Sequence, residues 1–92
     1  MIKSFRHRGL KRLHERGDTS RIPAERLERI ENILFTLDNA QALKEMRLPS
    51  FRLHALRGDR KGFWAVDVSG NWRIVFRFED GDVFDVNYED YH

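Results

Sequence analysis

The first half of the chain has the hydrophobic spacing of helices. Apolar residues recur there at intervals of three and four, which places them on one helical face. They are Phe5, Leu10 and Leu13, followed by the stronger series Leu27, Ile30, Leu34 and Leu37. This spacing predicts a short helix from about Phe5 to Arg16, a longer helix from Pro23 to about Leu37, and a helical turn from Ala40 to Met46.

The second half of the chain changes to a period of two, which is typical of strands. It predicts four strands, at Phe51 to Leu56, Phe63 to Val68, Trp72 to Phe78 and Val83 to about Glu89. Glycine-containing turns separate the last three and join them as antiparallel neighbours. In the third strand, Arg73 and Arg77 alternate with a row of apolar side chains, so we expect this arginine pair on the face away from that row.

Helices followed by an antiparallel meander predict an α+β fold of two layers. The N-terminal helices are expected to pack on one face of a twisted, mainly antiparallel sheet of three to five strands, leaving the other face partly open. A further short strand at residues 2–4 is expected at an edge. A length of 92 residues without repeats suits one domain over residues 1–92.

Composition narrows the class of protein. The chain has no cysteine, so it can form no disulfide and no thiolate metal site, which suits a reducing cytoplasm. The first ten residues are basic and lack the apolar run of a signal peptide, and no segment approaches the roughly 20 apolar residues of a membrane span. We therefore expect a cytoplasmic protein that does not associate with membranes.

Charge is distributed unevenly along the chain. The net charge is +2, but residues 1–60 hold fourteen Lys and Arg against eight Asp and Glu, whereas residues 61–92 hold three against seven. Arginine dominates the basic part, and its guanidinium suits bidentate contact with phosphate. This predicts an anionic polymer or an acidic protein as a partner. A basic helical surface that meets only solvent is an equal alternative on charge alone.

Four segments, in this order, resemble HigB toxins of the RelE superfamily. They are residues 1–5 (MIKSF), 53–60 (LHALRGDR), 70–74 (GNWRI) and 87–92 (NYEDYH). The resemblance covers nearly the whole chain. It implies a small RelE-like fold and cleavage of messenger RNA in the ribosomal A site, with no metal and no other cofactor. It also implies a HigA-type antitoxin as partner, with operator DNA contacted only indirectly through the toxin–antitoxin complex.

The same resemblance implies the site residues. The catalytic positions of the family fall on His54, Asp90, Tyr91 and His92, with Arg73 as a cationic contributor. Beside them, the candidate RNA-binding set is Arg57, Asn71, Arg77, Arg60 and Lys61; Arg77 enters it for its charge beside Arg73 and not through the resemblance. One position departs from the family, because Arg57 stands where relatives often have lysine. Arginine keeps the charge and the phosphate fork, but its high pKa makes it a poor proton donor.

These residue types match the needs of RNA cleavage by the ribose 2′-hydroxyl. Such cleavage requires a base for the 2′-hydroxyl, a cation for the phosphate oxygens and an acid for the departing 5′-oxygen. His54 and His92 can exchange protons near neutral pH, and Arg73 can stabilise the developing charge. Asp90 can orient a histidine, while Tyr91 offers either a hydroxyl for phosphate or a ring for base stacking. The sequence does not say which histidine is the acid.

Simpler explanations exist for each of these residues. Histidines and arginines on strands are usually surface residues, and tyrosines usually pack. His7 and His14 match no motif and are expected on a helix surface. The rival function is a non-catalytic basic module that binds RNA or protein and inhibits by occupancy, and a third possibility is a domain that mainly holds an antitoxin. A metal site is disfavoured because zinc-ligand spacing is missing.

Overall fold

The computed structural model describes residues 1–91, which form two helices and a four-stranded antiparallel sheet. Helix α1 spans Arg8–Arg16 and α2 spans Leu27–Asn39. The strands are β1 (His54–Ala55), β2 (Phe63–Ser69), β3 (Trp72–Glu79) and β4 (Asp82–Asp90), in the order β1-β2-β3-β4. Short 3-10 turns lie at Ala24–Arg26, Leu43–Met46 and Gly58–Arg60. The predicted α+β fold is confirmed.

Helix α1 begins three residues later than predicted because the segment before it contacts the sheet. Phe5 forms a parallel bridge with Val86 of β4, and a second bridge joins Ile2 to Val83. The predicted N-terminal strand is therefore two isolated bridges at the sheet edge. His7 then caps the helix, since its Nδ1 accepts the N–H of the third helical residue at 3.1 Å.

Helix α2 has the predicted apolar face, with Ile30, Ile33, Leu34 and Leu37 buried. The chain before it, predicted to be helical from Pro23, forms a 3-10 turn instead. At its other end the helix continues to Asn39, two residues beyond the predicted end at about Leu37. The carboxylate of Asp38 accepts the N–H of Ile2 at 2.9 Å, so it connects α2 to the N-terminal segment.

Strand β1 is shorter than the predicted range of residues 51–56. Phe51 is fully buried in the core, and Arg52 has a left-handed backbone with φ +52°, which interrupts an extended strand. Pairing with β2 continues just beyond β1, because the N–H of Leu56 donates to the carbonyl of Phe63 at 2.9 Å.

The hydrophobic core lies between the two helices and one face of the sheet. On β3, Ile74 and Phe76 point into this core, while Arg73 and Arg77 lie on the opposite face, as predicted. We call that opposite side the open face. Within residues 1–91, neither helix has the length and apolarity needed to cross a membrane.

A β-bulge in β4 decides which of its residues reach the open face. Asp85 and Val86 together stand opposite Phe76, and Asp85 has φ +57°. The extra residue shifts the alternation of side chains by one position. Val86 and Tyr88 therefore pack against the core, whereas Glu89 lies beside Arg73 on the open face.

The packing of α2 predicts a sharp contrast between two neighbouring positions. Ile33 is fully buried, whereas Phe35 on the same helix is 68% exposed. We expect Ile33→Ala to lower the free energy of unfolding by about 2–5 kcal/mol, because it leaves a cavity in the core. Phe35→Ala removes more atoms but should cost less than about 1 kcal/mol. Urea unfolding followed by circular dichroism measures both, and equal losses would contradict this account of the core.

Candidate active-site cleft

The open face carries a cleft where β1, the β2–β3 turn and the end of β4 meet. It consists of two adjoining hollows of about 700 and 370 Å³. Three residues line both hollows: His54 from β1, Arg73 from β3 and Tyr91 just after β4. All three are predicted catalytic residues, and the fold brings them together from positions far apart in the sequence.

Arg73 occupies the centre of this cleft. Its side chain is only 13% exposed, and its Cζ lies 4.4 Å from the centroid of the Tyr91 ring. The Nη2 atom is 3.8 Å from Oε1 of Glu89. The Nε atom is buried and donates no hydrogen bond to any group of residues 1–91. Because Arg73 lines both hollows, its guanidinium is suited to an anionic oxygen entering the cleft.

Glu89 holds the arginines of the cleft in place. Its two carboxylate oxygens accept hydrogen bonds from Arg60 at 2.9 and 2.7 Å, and one of them accepts from Asn87 at 3.1 Å. The hydrogen bonds from Arg60 lower the pKa of the Glu89 carboxyl and raise the pKa of the Arg60 guanidinium. Glu89 is absent from the predicted site residues; its pairing opposite Arg73 is the signal that identifies it.

His54 is exposed, and its ring has a defined hydrogen bond. Its Nδ1 lies 2.8 Å from the carbonyl oxygen of Arg52. A carbonyl oxygen can only accept, so in the neutral ring we assign the proton to Nδ1. The Nε2 atom then carries the lone pair and can accept a proton.

The C-terminal residues of the described chain are fastened to the β2–β3 turn. The N–H of Tyr91 donates to the carbonyl oxygen of Asn71 at 2.6 Å, and the Tyr91 side chain is 57% exposed. Asn71, a candidate RNA contact on sequence grounds, lines the larger hollow. Asp90 pairs with Trp72 and, by strand alternation, lies on the opposite side from Tyr91. His92, also predicted to be catalytic, lies outside the described residues.

The predicted RNA-binding cations divide into two groups. Arg57 and Arg60 line the smaller hollow together with His54. Lys61 and Arg77 line neither hollow. Arg77 lies further along β3, where it contacts the carboxylates of Glu79 and Asp85 and its Cζ lies 4.7 Å from the Phe84 ring centroid.

Three further lining residues with charged or aromatic side chains are absent from the predicted set: Arg52, Asp67 and Trp72. Arg52 and Asp67 form an ion pair with an Nε–Oδ2 distance of 3.6 Å at the rim of the larger hollow. Their position depends on the left-handed turn before β1, for which the sequence gives no local signal. Trp72 belongs to the apolar row of β3, and alternation alone assigns it to the core.

Proton exchange and charge neutralisation are the chemistry that this cleft can perform. It combines a histidine that can accept a proton with several guanidinium groups, which suits a phosphate ester as ligand. Among residues 1–91, no group of three or more His, Asp or Glu side chains has the arrangement of a metal site.

Comparison with known proteins gives the family. A family model described as the RelE-like toxin of type II toxin–antitoxin system HigB matches residues 3–92. Endoribonuclease HigB of Proteus vulgaris is 49% identical over 92 residues, the full length of both chains. Toxin HigB-1 of Vibrio cholerae serotype O1 is 33% identical over 87 residues, which cover 88% of this chain and 87% of that protein.

Solved structures of similar shape agree on the fold. A YafQ mutant from E. coli aligns with a TM-score of 0.64 and 16% identity over 98% of this chain and 91% of that one. The YoeB/ParE toxin from Agrobacterium tumefaciens aligns with a TM-score of 0.56 and 16% identity over 96% of each chain. These likenesses show a RelE-like fold, while the family model and the sequence relatives show the family. The chain belongs to the HigB-like family of RelE-like toxins from type II toxin–antitoxin systems.

Proposed function

We propose that this protein is the endoribonuclease toxin of a toxin–antitoxin system and that it cleaves messenger RNA in the ribosomal A site. The observation that carries the proposal is the meeting of His54, Arg73 and Tyr91 in one cleft on the open face. A full-length relative named as an endoribonuclease supports RNA as the substrate. The reaction uses the ribose 2′-hydroxyl as nucleophile and needs neither a metal nor another cofactor.

The proposed reaction moves two protons. The 2′-oxygen attacks the adjacent phosphorus and the bond from phosphorus to the 5′-oxygen breaks, leaving a 2′,3′-cyclic phosphate and a 5′-hydroxyl. Neutral His54 has its lone pair on Nε2, which supports it as the base that removes the 2′-hydroxyl proton. His92, which follows Tyr91 in the sequence, is then the proposed acid for the 5′-oxygen. Asp90 has the proposed role of orienting it.

Arg73 has the electrostatic role in this proposal. Negative charge grows on the phosphate oxygens in the transition state, and the Arg73 guanidinium, which lines both hollows, stabilises it there. The ring of Tyr91 lies against this guanidinium, and the proposed role of its hydroxyl is to contact a phosphate oxygen. Arg57 and Arg60 would neutralise neighbouring phosphates. Asn71 would contact the nucleotide in the larger hollow, with Lys61 and Arg77 binding RNA outside the cleft.

The proposed dependence on the ribosome rests on the openness of the cleft, which cannot enclose an RNA substrate. It is an open depression with few catalytic groups, so it cannot by itself bend a flexible RNA into the in-line geometry. We propose that the A site supplies that geometry in the cytoplasm. A type II toxin has an antitoxin partner, which we propose to be of the HigA type, with operator DNA contacted only through the complex.

Inhibition by occupancy is the second candidate function. A row of cations on the exposed side of α1 favours it: Arg8, Lys11, Arg12 and Arg16 line a shallow hollow in the helical layer. This surface can bind ribosomal RNA without cutting anything. Cleavage-deficient variants that still arrest growth at wild-type expression levels would favour occupancy over catalysis.

Replacement of Arg73 tests the electrostatic role. We expect Arg73→Ala to lower the single-turnover cleavage rate on programmed ribosomes by about 10²–10³-fold, because it removes the cation that faces the phosphate. Arg73→Lys keeps the charge but loses the guanidinium fork, so we expect partial rescue. Arg77→Ala is the matched comparison: Arg77 lies on the same strand and face but outside the cleft, so its loss should weaken RNA binding with a much smaller effect on the single-turnover rate at saturating toxin. Equal losses in both alanine variants would contradict the assignment.

Replacement of His54 tests the proton transfer. We expect His54→Gln to slow cleavage by about 10²–10⁴-fold, the usual contribution of a general base. His14→Gln on α1, where His14 lies 3.7 Å from Asp38, is the control and should cleave at the wild-type rate.

Mapping of the cleaved ends should reveal a 2′,3′-cyclic phosphate, and cutting of the same RNA without ribosomes should be weak. A 3′-hydroxyl product would rule out the proposed reaction.

The low pKa of Glu89 predicts a pH-dependent contribution to stability. A carboxyl whose pKa is lowered by folding stabilises the protein above its unfolded value, near 4.5, and loses this contribution as the pH falls. We therefore expect Glu89→Gln to lower the free energy of unfolding by about 1–3 kcal/mol at neutral pH. The difference from the wild type should shrink between about pH 5 and pH 3.

Urea unfolding at several pH values measures this difference. Glu79→Gln is the control: Glu79 also contacts an arginine, but its side chain is 55% exposed, so a smaller loss of at most about 1 kcal/mol is expected. A Glu89→Gln effect that stays constant from neutral to acidic pH would show that the charge of Glu89 does not hold the cleft.

A further inference from the structure

Trp72 is a large apolar side chain exposed at the mouth of the cleft. It begins β3 and belongs to the same apolar row as Ile74 and Phe76, which are fully buried. Trp72 itself is 38% exposed and lines the larger hollow beside Arg73 and Tyr91. The core-facing row of β3 therefore extends past the cover of the helices and ends in the cleft.

The indole is supported from behind by two more rings. Trp72 stacks on Tyr88 with a centroid separation of 4.6 Å and an interplanar angle of 23°. Tyr88 in turn meets the ring of His7 edge-on at 5.9 Å. The orientation of His7 is set by its cap hydrogen bond to Leu10 at the start of α1. A ring held in this way loses little further freedom when a ligand stacks on it.

The surroundings of Trp72 suit a nucleotide. Proteins commonly bind single-stranded RNA through aromatic rings on which the bases stack and through cationic side chains that contact the phosphates. The side chains of Trp72 and Arg73 leave opposite faces of β3, yet both residues line the larger hollow at the end of the strand, so a ring and a cation both border it. The Tyr91 ring is in contact with the Arg73 guanidinium, and the indole of Trp72 is a second aromatic surface at the same hollow.

We propose that Trp72 forms a nucleobase-binding subsite beside the scissile phosphate, where one unpaired base of the messenger RNA stacks on the indole. Tyr88 is the positioning residue behind it. This inference rests on the proposed function and adds a contact to it. Because every base has a flat face, the subsite aligns the RNA and contributes little to the choice of base.

The test combines a protein variant with a change in the RNA. Programmed ribosomes carry messenger RNAs in which single nucleotides around the cleavage site are replaced in turn by abasic residues, and cleavage by the wild type and by Trp72→Leu is compared. We expect one abasic position to lower wild-type cleavage by about 5- to 100-fold, the value of one stacked base. The same change should have less than about a twofold further effect in Trp72→Leu, because the ring that held the base is gone.

Trp64→Leu is the matched control. Trp64 is the other tryptophan; it packs against the core beneath Arg47 and lines neither hollow. This variant should lose stability yet keep the full abasic effect. Trp72→Phe retains a smaller ring and should show an intermediate effect even if Trp72→Leu folds poorly.

Two results would overturn the subsite. Abasic substitutions that never affect the wild type would do so whatever the variants show, and so would equal losses in the wild type and in both Trp72 variants. In either case, normal cleavage of intact messenger RNA by the wild type would leave the proposed function standing. Failure of the wild type to cleave intact messenger RNA on ribosomes would instead refute the proposed function itself.

Discussion

The geometry of the cleft depends on one carboxylate among several guanidinium groups. Arg60 and Arg73 approach each other from a loop and from a strand, and their like charges would separate them without a counterion. Each carboxylate oxygen of Glu89 accepts a hydrogen bond from Arg60, and Oε1 also lies 3.8 Å from Nη2 of Arg73. The carboxylate balances only part of this positive charge, so the cleft keeps an attraction for phosphate while its cations stay in fixed positions.

The two faces of the sheet serve different purposes. The face under α1 and α2 is apolar and provides the hydrophobic burial on which a chain of 92 residues depends for stability. The open face carries the charged and polar groups, whose burial in a core would be costly. Trp72 and Tyr88 stand where the two faces meet, since both extend the apolar side toward the cleft. At this end of the sheet, the same two side chains therefore contribute both to the packing of the core and to the surface that a ligand in the cleft would contact.

Much of the architecture could be predicted from local patterns, because periodicity reports directly which side chains are buried. The apolar face of α2 and the alternation of β3 are examples. The shortness of β1 could not be predicted from the local pattern. The strand is interrupted by the left-handed backbone of Arg52, next to Phe51, whose burial in the core depends on residues distant in the sequence. The later start of α1 has a similar cause, because Phe5 binds to the sheet edge.

For the cleft, resemblance to a family supplied His54, Arg73 and Tyr91, and the fold brings these three together. Strand alternation predicted the face of an arginine but not whether it belongs to the cleft, since Arg77 shares the open face with Arg73 yet lies outside the cleft. Glu89 escaped prediction because its face depends on the bulge in β4. Strand register is a property of two segments at once, so a single strand's pattern does not reveal it.

That bulge also places a constraint on length. Asp85 is the extra residue of the bulge. Every side chain after it in β4 therefore points to the face opposite the one it would occupy in a regular strand. Deleting Asn87 or Tyr88 would exchange the two sides of the strand beyond that point, turning Glu89 and Tyr91 toward the helices. A substitution in this stretch changes one side chain, whereas an inserted or deleted residue moves every side chain after it to the other face.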